Sequence, residues 1–162
     1  MSRLAVGQLE GLASEGYRIT VASGSRLVQA GSILQFVYSQ TTSTFTTSSG
    51  SWVDWTNMTA TITPRESNSL IMVMVNAPRY QYVSGVAQPI YLRLLRGGTL
   101  IALETQNYVN TNNSQVTGQT GFTWIDNPAT TSATTYKVQT TAGVSQSFSW
   151  VWGSIILMEV AQ

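Results

Sequence analysis

From Gly31 to Pro64 the chain reads GSILQFVYSQTTSTFTTSSGSWVDWTNMTATITP, with Thr and Ser alternating against single aromatic and aliphatic residues. Successive side chains of an extended strand point to opposite faces, so this alternation sorts bulky groups onto one face and hydroxyls onto the other. β-Branched Thr suits a pleated, half-wet surface. The segment therefore predicts antiparallel β structure.

The same grammar continues to the end of the chain. Strands are expected near Ile33–Tyr38, Thr42–Thr47, Ser51–Thr56, Ala60–Thr63, Leu70–Asn76, Ile90–Arg96, Thr99–Glu104, Gly121–Ile125, Thr135–Thr140, Ser147–Val151 and Ser154–Val160, separated by Gly, Pro, Asn and Ser clusters. No helical period intervenes, which points to an all-β, antiparallel, two-sheet sandwich of jelly-roll type spanning residues 32–162. Leu70–Val75, LIMVMV, is apolar on both faces. One face should meet the opposite sheet and the other a neighbouring subunit or loop, as should the apolar closing strand. Leu70, Met72, Met74, Ile155 and Leu157 are accordingly the expected subunit interface. Gly97-Gly98 between two apolar runs predicts a tight hairpin with positive φ at both turn residues.

Composition limits the chemistry. The 162 residues suffice for one domain with a real core. With no Cys and no His, disulfides, thiolate nucleophiles, the usual zinc sites and His-based acid–base catalysis are excluded. Charged residues make up 9% of the chain and the net charge is +1, against about a quarter charged in typical soluble domains. Ser, Thr, Asn and Gln must solubilise such a surface, as in many secreted or particle-bound β proteins. It lacks the basic footprint of a nucleic-acid binder. No apolar run is long enough to span a bilayer and the N-terminus lacks a signal-peptide core, so neither membrane insertion nor signal-directed export is expected.

Residues 1–31 differ from the rest. They carry Arg3, Arg18 and Arg26, no Trp, and glycines at 7, 11, 16, 24 and 31. Short strands at Tyr17–Ala22 and Arg26–Gln29 around a Ser23-Gly24 turn cannot bury a core alone. The segment reads as a short arm ordered by neighbours, attaching to a particle through Arg3, Leu4, Val6, Leu9, Arg18 and Arg26.

The series AGSILQ, TSTFTTSSGSWVDWTNMTATITP followed by SNSLIMVMVNA, LRLLRGGTLIA, TYKVQTTAG and IILMEV resembles virion structural proteins of tailed phages, many from marine and cyanobacterial phages, of the tail-fibre-like type. The resemblance implies a homotrimeric β-sandwich in a virion, assembled in the host cytoplasm, partnered by tail or capsid proteins and without catalysis or cofactor. The short arm leaves open a short tail fibre or appendage and a capsid decoration protein. A glycan-binding or glycan-degrading particle protein is the remoter alternative.

Candidate sites are few. Asp54 and Asp126 are the carboxylates nearest aromatic strands, and alternation puts Trp52 and Asp54 on one face with Val53 and Trp55 on the other. Two carboxylates flanking a sugar could hydrolyse it, but solitary turn or edge carboxylates that cap backbone N–H groups are the stronger reading. Tyr80 and Tyr82, in a loop after the central strand, and Tyr108, Asn110, Asn112 and Asn113 in a second polar loop suit a host surface glycan or protein, the alternative being that Tyr80 and Tyr82 pack at a subunit interface. Arg93 and Arg96 face opposite ways, and one is expected to pair with Glu104.

Overall fold

The computed structural model describes residues 28–82, 90–102, 115–142 and 148–162, together with Ser23. Among the described residues there are ten strands: β1 (Ile33–Thr41), β2 (Phe45–Thr47), β3 (Val53–Ile62), β4 (Leu70–Tyr82), β5 (Ile90–Arg96), β6 (Thr99–Ala102), β7 (Gln115–Asp126), β8 (Thr134–Ala142), β9 (Phe148–Trp150) and β10 (Gly153–Val160). All pairings are antiparallel.

Sheet A runs β1-β10-β4, with β7 on the other side of β4, and sheet B runs β3-β8-β5-β6. Where β10 leaves β4 at Asn76, β9 takes over at Arg79–Gln81. β2 pairs with β9 as β1 pairs with β10. Thus β1/β2 and β9/β10 each act as one bent strand. Taken so, sheet A is ordered first, eighth, third, sixth along the chain and sheet B second, seventh, fourth, fifth. Consecutive segments alternate between sheets except at the β5–β6 hairpin, the interlocked Greek-key arrangement of a jelly roll.

The core lies between the inner faces. Ile71, Val73 and Val75 of β4 and Ile155 and Leu157 of β10 meet Trp55, Met58, Ile62, Leu92, Leu94, Tyr136 and Val138 of sheet B, all buried. Each large aliphatic side chain removed from water contributes roughly 1.5–3 kcal/mol before chain entropy is subtracted. Trp55 stacks on Trp150 with ring centroids 4.8 Å apart, and Phe45 lies 6.3 Å from Trp55, so aromatic packing closes the end where β2 and β9 meet.

Several sequence expectations change here. The expected strands Ser51–Thr56 and Ala60–Thr63 are one strand, β3, interrupted by a bulge between Asp54 and Thr59. Asn57 takes φ 70°, a left-handed conformation that Asn tolerates better than most residues. The bulge switches the inward parity from odd to even positions, so Trp55 and Met58 both reach the core. At the Gly97-Gly98 hairpin only Gly97 has positive φ, 58°. The turn therefore has the II′ pattern instead of two left-handed residues. Val28 and Gln29, the described end of the expected strand Arg26–Gln29, are not in a strand. They lead to a turn in which the Gly31 N–H donates to the Ala161 carbonyl, fixing the chain's entry beside β10. The other expected strand, Tyr17–Ala22, lies outside the described residues, as do Arg3, Leu4, Val6, Leu9, Arg18 and Arg26.

Candidate functional site

The outer face of sheet A is built by strict alternation. β10 buries Ile155, Leu157 and Glu159 and turns Ser154, Ile156, Met158 and Val160 the other way. Register carries this parity across the sheet. One row comprises Phe36, Met158, Met72 and Ile125, and the next Tyr38, Ile156, Met74 and Thr123. A third holds Gln40, Ser154, Asn76 and Gly121. Val160 joins Ile33 to Leu70 at the far end. None of these side chains is charged.

Apolar side chains on this face remain open to solvent: Ile33 is 62% exposed, Phe36 56%, Tyr38 65%, Met74 38% and Ile125 55%. Single exposed apolar residues are ordinary, but contiguous rows of them mark interaction surfaces. Between the rows lies a cavity of ≈ 460 Å³ bounded by Met74, Asn76, Gly121, Thr123, Ser154 and Ile156. Its floor depends on Gly121, where a Cβ would stand 2.8 Å from the Val75 carbonyl oxygen.

Of the expected interface residues, Leu70, Met72 and Met74 lie on this outer face, Leu70 and Met72 half-buried. Ile155 and Leu157 do not: both are fully buried between the sheets. A continuous apolar run conceals parity, and the partners of β10 place its odd positions inward.

Three of the described carboxylates, Glu159, Asp126 and Asp54, are committed elsewhere. The buried Glu159 accepts hydrogen bonds from the backbone N–H groups of Arg65 (2.7 Å) and Glu66 (3.1 Å) and from the Gln35 side-chain amide (2.6 Å), pinning the β3–β4 connection. Burial alone would raise its pKa. Hydrogen bonds led by that of the Gln35 amide, with the two backbone N–H groups, outweigh that and hold it below the ordinary Glu value. Two strands away in the same row, Asp126 accepts from the buried Tyr136 hydroxyl (2.7 Å) and from Arg96 Nη1 (2.9 and 3.0 Å), tying β7 of sheet A to β5 and β8 of sheet B. Burial, together with the Asp126 carboxylate, pushes the Tyr136 phenol well above its usual range.

Asp54 lies on the outer face of sheet B. It accepts from Lys137 Nζ (2.9 Å) and Gln139 Nε2 (2.6 Å), and these hydrogen bonds hold its pKa below the usual Asp value. Arg93 donates to Gln139 Oε1 (2.8 Å) and lies over the Trp52 ring, 4.2 Å from its centroid, with Tyr91 6.4 Å from Trp52. Arg93 and Arg96 do face opposite ways, but Arg96 binds Asp126 and Arg93 binds Gln139; Glu104 lies outside the described residues. Asp54 and Asp126 thus serve separate networks instead of forming a pair. Among the described residues no cluster of His, Cys, Asp or Glu is placed to hold a metal, and no helix is long and apolar enough to cross a membrane.

Tyr80 and Tyr82 are strand residues and not loop residues. β4 continues to Tyr82, with Tyr80 opposite Thr117 and Tyr82 opposite Gln115 of β7. Tyr108, Asn110, Asn112 and Asn113 lie outside the described residues.

No protein-family model and no curated protein matches the sequence. Solved structures with a related fold include infectious bursal disease virus, Gx strain (13% identity, TM-score 0.46, 87% of this chain and 37% of that one). The VP2 subviral particle of the same virus covers 89% of this chain at 11% identity and TM-score 0.47. The Gt strain covers 87% at 15% identity and TM-score 0.43. This chain spans only 36–37% of the length of those chains. The jelly-roll assignment rests on the strand order given above.

Proposed function

We propose that this chain is a structural component of a virus particle, of the tailed-phage appendage type. Copies associate as a homotrimer through the outer face of sheet A, residues 1–31 attach the trimer to tail or capsid proteins, and the outer face of sheet B turns to solvent. The observation that carries the reading is the uncharged apolar surface of Ile33, Phe36, Tyr38, Met74 and Ile125. Leaving it in water forgoes roughly 25 cal/mol for each Å² that a neighbour would cover. The low charge of the chain and its resemblance to phage virion proteins point the same way. The reading is non-enzymatic, in keeping with the two candidate carboxylates, Asp54 and Asp126, each being held by cation and hydrogen-bond donors in separate networks.

Sedimentation equilibrium at micromolar concentration tests the core of the proposal. The chain should sediment as a trimer and Met72→Asp as a folded monomer; a monomeric wild type would overturn it. Particle attachment is tested by a chain starting at Ser32, which should fail to enter virions. Host recognition is assigned to the segment containing Tyr108, Asn110, Asn112 and Asn113, so Tyr108→Ala should weaken adsorption to the host.

A further inference from the structure

The outer face of sheet A has relief. Along its β1 edge stand Phe36 and Tyr38, more than half exposed, as a ridge. Towards β7 the row Ser154, Asn76, Gly121 replaces bulk by small and polar groups, opening the ≈ 460 Å³ cavity. Ridge and trench are at the same height along the strands, because Tyr38 shares its row with Ile156, Met74 and Thr123, three residues that border the trench.

We infer that the trench is the receptor for the Tyr38 ring of a second copy of this chain, with Phe36 packing beside it. The inference rests on the reading that copies associate through this face, and it names how they engage. The chemistry of the trench suits a phenol. Met74 and Ile156 offer apolar walls, a thioether favours contact with an aromatic ring, and the hydroxyl-bearing Ser154 and Thr123 also line the trench. A cavity of this volume lies within the range of roughly 300–1,000 Å³ that accommodates small-molecule guests, ample for one aromatic side chain.

Two further observations select a second copy as the occupant. The face carries no charge, so bringing it against itself incurs no like-charge repulsion. Its area also demands interdigitation. Four strands about 4.8 Å apart and eight residues at about 3.3 Å each give a flat footprint of order 500 Å², short of the roughly 800 Å² per partner in a standard interface. Inserting ridge into trench adds area that flat stacking lacks. Ridge and trench occupy different parts of the face, so each copy can give a ridge to one neighbour and receive one from another, and a three-membered ring closes that series of contacts.

Mixing two complementary variants tests this. Phe36→Ala/Tyr38→Ala removes the ridge and keeps the trench; Ser154→Phe fills the trench and keeps the ridge, with Thr123→Phe as a second filler should the first not fold. Each variant alone should be monomeric where wild type is trimeric, association being weakened about 30-fold or more as for a hot-spot residue. An equimolar mixture should form a 1:1 heterodimer and no closed ring, since one intact ridge meets one intact trench. A mixture that stays monomeric would overturn the inference. So would ridge and trench variants that remain trimeric while Met72→Asp is monomeric, which leaves the association face standing and removes this mode of engagement. If Met72→Asp also remains trimeric, the association reading itself fails.

Discussion

The two outward faces of the sandwich are made by the same alternation yet end in opposite chemistry. Sheet B shows water Asp54, Lys137, Gln139 and Arg93 in one hydrogen-bonded network, with Thr61 and Thr135 joined by their hydroxyls at 2.7 Å. Where β1, β10, β4 and β7 pair in register, sheet A shows only neutral side chains, most of them apolar. Its carboxylates, Asp126 and Glu159, turn inward and are satisfied there by fixed donors. Among the described residues of these in-register rows, the few charges of the chain are thus kept off one face. That arrangement suits contact with protein on the sheet A side and water on the other.

The largest expected effect breaks the comparison at its centre. A charge on the apolar face, Met74→Asp, should weaken association at least about 100-fold, the consequence of leaving an unpaired charge in a dry interface. Arg93→Ala or Trp52→Ala on sheet B should leave the sedimentation profile unchanged. Trimers that survive Met74→Asp but dissociate with Arg93→Ala would reverse the assignment of the two faces.

Next come the inward carboxylates. Asp126→Asn leaves Arg96 without its ionic partner and weakens the Tyr136 bond, and should lower the unfolding free energy by about 2–3 kcal/mol in urea melts. The Tyr136 phenol adds an alkaline limb. Its pKa is raised by folding, so its contribution is complete below its unfolded pKa of about 10 and is lost as pH climbs above that; Tyr136→Phe should flatten this limb.

Glu159→Gln should cost about 1–3 kcal/mol, because the neutral amide replaces a carboxylate acceptor of two backbone N–H groups. Here the sign is opposite. Folding lowers the Glu159 pKa, so its contribution is present above the unfolded value of about 4.3 and disappears as pH falls through the folded one. Wild type should lose stability on acidification more steeply than Glu159→Gln, measured by thermal unfolding from pH 6 to 3.

The smallest effect sharpens the contrast. Asp54, with its side chain 56% exposed, and Lys137 form a surface pair. Asp54→Asn should therefore change stability by no more than about 1 kcal/mol, and less still in high salt. A loss as large as that of Asp126→Asn would show that sheet B's network bears on the fold as strongly as sheet A's inward carboxylates do.

By itself the sequence determined that the chain is a β-sandwich and that β4 is apolar on both faces. The first follows from period-two alternation and the second from a run that lacks it, both of them local and needing no knowledge of neighbours. Parity did not follow for runs without alternation. Ile155 and Leu157 look like Ile156 and Met158 in IILMEV, and only pairing with β1 and β4 decides which pair enters the core. Nor did the sequence show that Asn57 bulges β3 so that Trp55 and Met58 point the same way, or that β4 runs on through Pro78 to Tyr82. Glu159 gave no signal, because its value depends on N–H groups 93 and 94 residues away. The tertiary structure decided these points because each turns on which distant strand lies alongside, and a carboxylate or a methionine acquires its role only from what that strand presents.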